Sequence, residues 1–156
     1  YEKNLLTLIK AVKKGFEIYI GSKKQMLSFI YVEDLANIMI NLCETNFSNK
    51  TFNLSDGDIY STQELNQILR KIFKKKTISI VLPLGLVKII ALLMESIGKI
   101  TKKATIINRD KLNELVALNW TCDISGIEKE IGFKPKYKLE QGMSKTIEWY
   151  KKNDWL

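Results

Sequence analysis

The chain has 156 residues, 46% hydrophobic and 27% charged, enough for one sizeable core and ordinary for a globular protein, so one domain over 1–156 is expected. Its net charge of +8 raises nucleic acid or anionic lipid as a partner, but every basic residue except Arg70 and Arg109 is lysine. Bidentate readout of phosphate or guanine is thus scarcely available, and the charge reads as solvated surface. The sequence has no histidine, which excludes a His-based triad, a His-ligated metal and a His proton shuttle. Cys43 and Cys122 give neither a disulfide framework nor metal spacing, which fits a reducing cytoplasm.

The opening residues, YEKNLL, carry no initiator Met and no basic-then-apolar leader, and read as the middle of a longer chain. From Asn4 to Lys14 the positions Leu5, Leu8, Ile9 and Val12 make one helical stripe, stopped by Gly15. Phe16, Ile18 and Ile20 then alternate with Glu17 and Tyr19, the pattern of a short strand. In the next stretch, SFIYVEDLANIMINLCE, the residues Phe29 to Val32 suit a strand end, and Leu35, Ile38, Met39 and Leu42 recur at helical spacing. Glu33 and Asp34 fall where a helix first turn favours negative charge, with Asp34 expected to cap or orient that helix. Thr51 to Leu54 reads as a strand before the Asp56-Gly57 turn.

Ser61-Thr62-Gln63-Glu64 predicts a capping box opening a helix with Leu65, Ile68, Leu69 and Ile72 inside, and the basic cluster from Arg70 to Lys76 suits its C-terminus. Thr77 to Leu82 predicts another strand, stopped by Pro83. Leu84 to Ile97 is strongly apolar but short of the roughly 20 residues a membrane span requires, so a buried helix is favoured over an interfacial one. A basic connector, Gly98 to Ala104, leads to a helix from Arg109 to Leu118, which Asn108 can cap. Asp123 can cap a short helix that Gly132 stops, Lys134-Pro135 is extended, and Leu139 to Lys152 closes the chain as a helix. The sum is a mixed α/β fold in which helices outnumber short strands, with Trp120, Phe133 and Trp149 expected to be buried.

Two of these stretches carry a resemblance. Phe29 to Ala36 resembles the F-[IV]-x-V-x-D-[LV]-A element of the extended short-chain dehydrogenase/reductase family, the NAD(P)-dependent epimerases, dehydratases and related reductases. Trp120, Asp123, Phe133 and Pro135, followed by Leu139, Gly142, Thr146 and Trp149, resemble that family's C-terminal ending. The resemblance implies the substrate-binding C-terminal portion of a Rossmann-superfamily enzyme, binding a small-molecule substrate, with NAD or NADP used by the full-length parent. It also implies that Thr51 to Leu54 completes the nucleotide-binding sheet and that Leu84 to Ile97 lies where the family builds its substrate lid.

The family's cofactor and catalytic signatures are missing. No G-x-x-G-x-x-G opens a helix after a strand, so no dinucleotide cofactor site is expected within this chain. Of the tyrosines, only Tyr19 has a lysine four residues on, Lys23, and it lies across a turn and not on a helix, so no catalytic residue is assigned. In the nucleotide-sugar epimerases the segment entering V-x-D supplies an arginine and an aromatic residue to the diphosphate pocket. Here those positions are Leu27 and Phe29, and Arg109 is the candidate replacement phosphate ligand. Leu27 also suits an uncharged substrate, as in reductases acting on sterols or dihydroflavonols.

The expected partners are therefore a substrate and an N-terminal Rossmann half, with neither nucleic acid nor membrane, and with self-association through an apolar flank left without its sheet. The reading from a different class is a lysine-rich module for anionic lipid or nucleic acid.

Overall fold

A computed structural model of the chain describes residues 3–21, 25–44, 50–90 and 117–156. Helix α1 (Lys3–Lys13) buries Leu6, Ile9 and Val12, with Leu5 and Leu8 half-buried beside them, and stops at Gly15, whose φ of +94° no side-chain-bearing residue adopts cheaply. Strand β1 (Phe16–Ile20) follows, then β2 (Met26–Leu27) and α2 (Val32–Cys43). Next come β3 (Tyr60–Ser61), α3 (Thr62–Phe73), β4 (Ile78–Leu82) and the helical residues 84–90, here α4. The chain closes with β5 (Asn119–Trp120), α5 (Ser125–Ile131) and α6 (Leu139–Lys152).

The strands form two small sheets. β1 pairs in parallel with β4, Phe16 opposite Ile78 through Ile20 opposite Leu82. β2 lies between β3, antiparallel, and β5, parallel, so that Leu27 faces Tyr60 on one side and Trp120 on the other. Two clusters make the core. The first joins α1, α3 and α6 through Ile9, Val12, Leu69 and Ile147, all nearly inaccessible. The second joins α2 to α5 through Ile38, Ile124, Ile127 and Phe133, with Phe52 and Leu54 packed against it.

The capping box forms as expected: Ser61 Oγ accepts the Glu64 N–H at 3.2 Å, and the Glu64 carboxylate accepts the Ser61 N–H at 2.7 Å. Other expectations need correction. Residues 51–54 are not a strand, because no neighbouring strand pairs with them among the described residues, and Phe52 and Leu54 serve as core side chains instead. Phe29 to Tyr31 also lie outside the sheet: the paired strand is Met26–Leu27, and the helix begins at Val32.

β1 buries its polar face. Glu17 and Tyr19 are buried, while Phe16 and Ile18 are each 43% exposed. Glu17 draws the strand inward because it accepts hydrogen bonds from Tyr19 Oη (2.9 Å), Arg70 Nη1 (2.8 Å), Ser79 Oγ (3.2 Å) and Thr77 Oγ1. Burial alone would raise its pKa, but these donors and the Arg70 charge outweigh it and hold the carboxyl below the usual range. Trp120 and Trp149 are about half exposed at 50% and 51%, whereas Phe133 is buried as expected. Trp120 sits on β5, an edge strand of its sheet, and Trp149 near the end of α6, beside Tyr150 and Trp155. The readings on residues 22–24, 45–49 and 91–116, including Lys23 and the Arg109 helix, lie outside the described residues.

Candidate functional site

The segment from Ser28 to Tyr31 links β2 to α2 and is held in place by its backbone. The Ser28 N–H bonds the Trp120 carbonyl at 2.9 Å, and the Phe29 carbonyl accepts the Asp56 N–H at 2.6 Å. The Phe29 ring rests 6.3 Å from that of Tyr60. Tyr60 Oη donates to Asp56 Oδ2 at 2.6 Å and accepts the Leu139 N–H at 3.4 Å, tying the Asp56-Gly57 turn to the start of α6. Burial, then the Asp56 bond, pushes the Tyr60 phenol well above its ordinary range. Lys138 Nζ completes the joint, donating to the Asp56 carbonyl at 2.7 Å and pairing with Asp58 at 2.8 Å, which lowers the Asp58 pKa.

Against this joint lies a groove of about 450 Å³, walled by Phe29 to Val32 on one side and α6 on the other. Its lining is apolar and aromatic. Tyr31 meets Tyr137 edge-on at 4.9 Å, and Trp149, Tyr150 and Trp155 form a ring cluster in which Tyr150 and Trp155 stack at 5.5 Å. Gly142 lets the helix approach, since a Cβ there would sit 3.2 Å from the Tyr31 ring. Lys145, not itself a wall of the groove, lies 5.1 Å above the Tyr137 ring and 3.6 Å from Glu33. Burial followed by the Glu33 charge raises the Tyr31 phenol, whereas the Tyr137 hydrogen bond first, then Lys145, lowers Glu33. Near neutral pH these groups therefore stay as a protonated phenol and an ionised carboxylate. The groove can hold apolar and aromatic surface.

Asp34 has a part the sequence did not disclose. Tyr31, with no side-chain cap bond, occupies the N-cap of α2, so Asp34 does not cap that helix through its own first turn. The buried Asp34 carboxylate reaches across the fold, and its Oδ2 accepts the backbone N–H groups of Lys136 (3.1 Å) and Tyr137 (2.9 Å). One carboxylate thus clasps the V-x-D element to the segment that follows Pro135.

Of the candidate substrate contacts, Phe29 lines the groove, Leu27 packs against the first core cluster and is not among the groove's walls, and Arg109 lies outside the described residues. Asp123 does not cap α5 directly; it forms a turn one residue earlier, accepting the Ser125 N–H at 2.9 Å and its hydroxyl at 2.8 Å. Tyr31, Tyr137 and Trp155 were missed as groove residues. The available signal was the aromatic recurrence on either side of the last helix, which meets only after Asp34 folds residues 136–137 back. No cluster able to hold a metal ion occurs among the described residues.

No family model matches the chain. It is 26% identical over 147 residues to a UDP-glucose 4-epimerase of Vibrio cholerae, covering 93% of this chain and 41% of that protein. It is 27% identical over 160 residues to a dTDP-glucose 4,6-dehydratase of Shigella flexneri, covering 97% and 37%. Among solved structures it is similar to the UDP-glucuronic acid 4-epimerase of Bacillus cereus in complex with NAD (TM-score 0.65, 16% identity, 95% of this chain and 39% of that one). It is similar also to the dTDP-glucose 4,6-dehydratase of Bacillus anthracis in complex with NAD (TM-score 0.66, 14% identity, 99% and 41%). The chain spans about two fifths of the length of the curated relatives it matches. The resemblance read from the two motifs is thus borne out. The chain has the mixed α/β fold of the C-terminal portion of extended short-chain dehydrogenase/reductase epimerases and dehydratases, and its described strands form a pair and a triplet, not a Rossmann sheet.

Proposed function

We propose, starting from that fold, that the chain is the substrate-binding C-terminal portion of an NAD-dependent nucleotide-sugar epimerase or dehydratase, forming one domain of a longer protein. The observation that carries the reading is the span of the likeness: it covers 93% of the chain for the Vibrio cholerae epimerase, and Asp34 binds the V-x-D element to the segment after Pro135. The nucleotide-binding half would supply the phosphate cradle and the proton carrier that this stretch lacks. Its docking face is the exposed stripe Val32, Ala36, Met39, Ile40 and Cys43 of α2, which continues through Val32 into the groove. Left uncovered, that face favours self-association. Both cysteines are unpaired, consistent with a cytoplasmic setting, and no helix among the described residues is long and apolar enough to cross a membrane.

Leu27, packed in the core, cannot pair with a phosphate oxygen, so a diphosphate would need another cation, for which Arg109 is our candidate. The same apolar side chain favours a second reading, a reductase of an uncharged substrate. Calorimetric titration of NAD, UDP-glucose and dTDP-glucose separates the readings, using this chain alone and the chain extended through its natural N-terminal sequence. The extended protein should bind NAD and one nucleotide sugar, and the 156-residue chain should show no micromolar NAD binding. Micromolar NAD binding by the chain alone overturns the division of labour. NAD binding by the extended protein without binding of either sugar favours the reductase.

A further inference from the structure

The outer face of the β1–β4 pair has no use in the proposed function. Register puts Phe16 beside Ile78 and Ile18 beside Ile80 on one face, and all four are exposed, Ile78 at 67%. The opposite face carries the buried Glu17 and Tyr19. Both strands are entered from lysine-rich turns. Lys13 and Lys14 precede β1, Lys74 to Lys76 precede β4, and the two turns lie side by side because the Ile78 N–H donates to the Gly15 carbonyl at 2.9 Å. Lys14, Lys74, Lys75 and Lys76 are exposed, whereas the neighbouring cations are engaged, Arg70 by Glu17 and Lys71 by Glu140. Beyond the far end of the strands α4 presents Leu86, Ile89 and Ile90 with Lys88, and residues 84–90 contain no carboxylate.

We propose that this aliphatic sheet face, with its lysine-rich end, rests on an anionic membrane surface. Charge chooses the occupant. A second copy meeting this face with its own would set the same exposed lysines, Lys14 and Lys74 to Lys76, at its edge in place of opposite charge. Protein interfaces enrich arginine and aromatic residues and deplete lysine, the reverse of what stands here. Single-stranded nucleic acid needs stacking rings, and this face has only Phe16. Lysines whose stems lie along apolar surface while their ammonium groups reach lipid phosphates, around aliphatic side chains that enter the acyl boundary, match an interfacial binding face.

Co-sedimentation of the whole chain with phosphatidylcholine vesicles, with and without phosphatidylserine, tests the proposal. Binding is expected only with phosphatidylserine and should fall at high salt. Lys75→Gln with Lys76→Gln should lower partitioning roughly 25-fold, about fivefold per lysine. Ile78→Thr with Ile80→Thr should lower it roughly tenfold through lost apolar insertion, with circular dichroism unchanged to show that both variants fold. Failure to pellet with anionic vesicles overturns the proposal. So does full binding by the isoleucine variant, which would leave only diffuse charge attraction. A wild-type dimer that the isoleucine variant converts to monomer would assign the face to a second copy instead, and DNA binding lost with the same two isoleucines would assign it to nucleic acid.

Discussion

Replacing Asp34 by alanine removes a carboxylate that is 5% exposed and accepts two backbone N–H groups, from Lys136 and Tyr137, on one oxygen. A hydrogen bond to a charged group contributes about 1.5–3 kcal/mol, and stranding a buried donor costs about 1–3 kcal/mol. Because relaxation lets water reach part of the exposed site, Asp34→Ala should cost about 3–5 kcal/mol, including ~0.5 kcal/mol of lost charge at the N-terminus of α2. Asp34→Asn keeps an oxygen of the same reach and should cost only about 1–2 kcal/mol. Urea denaturation followed by circular dichroism measures both, with the midpoint moving and the slope fixed. For a chain of this size Asp34→Ala should also lower Tm by roughly 6–20 °C. Amide exchange should quicken at Lys136 and Tyr137 in the alanine variant. A loss below about 1 kcal/mol, or equal losses in the two variants, would refute the clasp.

Glu17→Gln should destabilise by about 2–3 kcal/mol, less than for a fully buried ion pair because the Arg70 side chain is 37% exposed. The folded-state pKa of Glu17 is lowered, so its contribution is fully present above the ordinary 4.5 and is lost as pH falls through the lowered value. Thermal scans from neutral to acid pH should show a steeper acid limb in the wild type than in Glu17→Gln. Gly142→Val should cost about 1–3 kcal/mol by driving the Tyr31 ring from its seat, with Gly142→Ala near neutral because a gain of about 1 kcal/mol in helix propensity offsets the tight contact. A valine variant as stable as the wild type in thermal unfolding would show that α6 does not depend on that close approach.

Elements whose causes are local were legible in the sequence. The Ser61–Glu64 box, the Gly15 and Gly132 stops and the stripe of α3 all depend on neighbours within a turn or two, and the structure repeats them, whereas α1 buries Leu6 with Ile9 and Val12 and leaves Leu5 and Leu8 half-buried. What failed to read depends on distant partners. Strict alternation in β1 marked a strand without saying which of its faces is buried, and nothing near Glu17 announced that Arg70, Thr77 and Ser79 would solvate it from the far strand and helix. Thr51 to Leu54 had strand composition without a strand to pair with. Phe29 was legible as a site residue from its motif alone, whereas Tyr31 and Tyr137 become groove neighbours only through a carboxylate that looked like a helix cap. The tryptophans carried motif positions, and a motif position says nothing of which face a ring turns to water.

The Asp34 clasp also has a temporal side. Its partners are 102 and 103 residues later in the chain. At a ribosomal pace of about 5–20 residues per second, roughly 5–20 s separate the emergence of α2 from that of the amides it will hold. Throughout that interval α2 has the Asp34 side chain without its two partners on its inner side and a bare apolar stripe on its outer one. Nascent α2 therefore takes its native seat only once the C-terminal segment has been made.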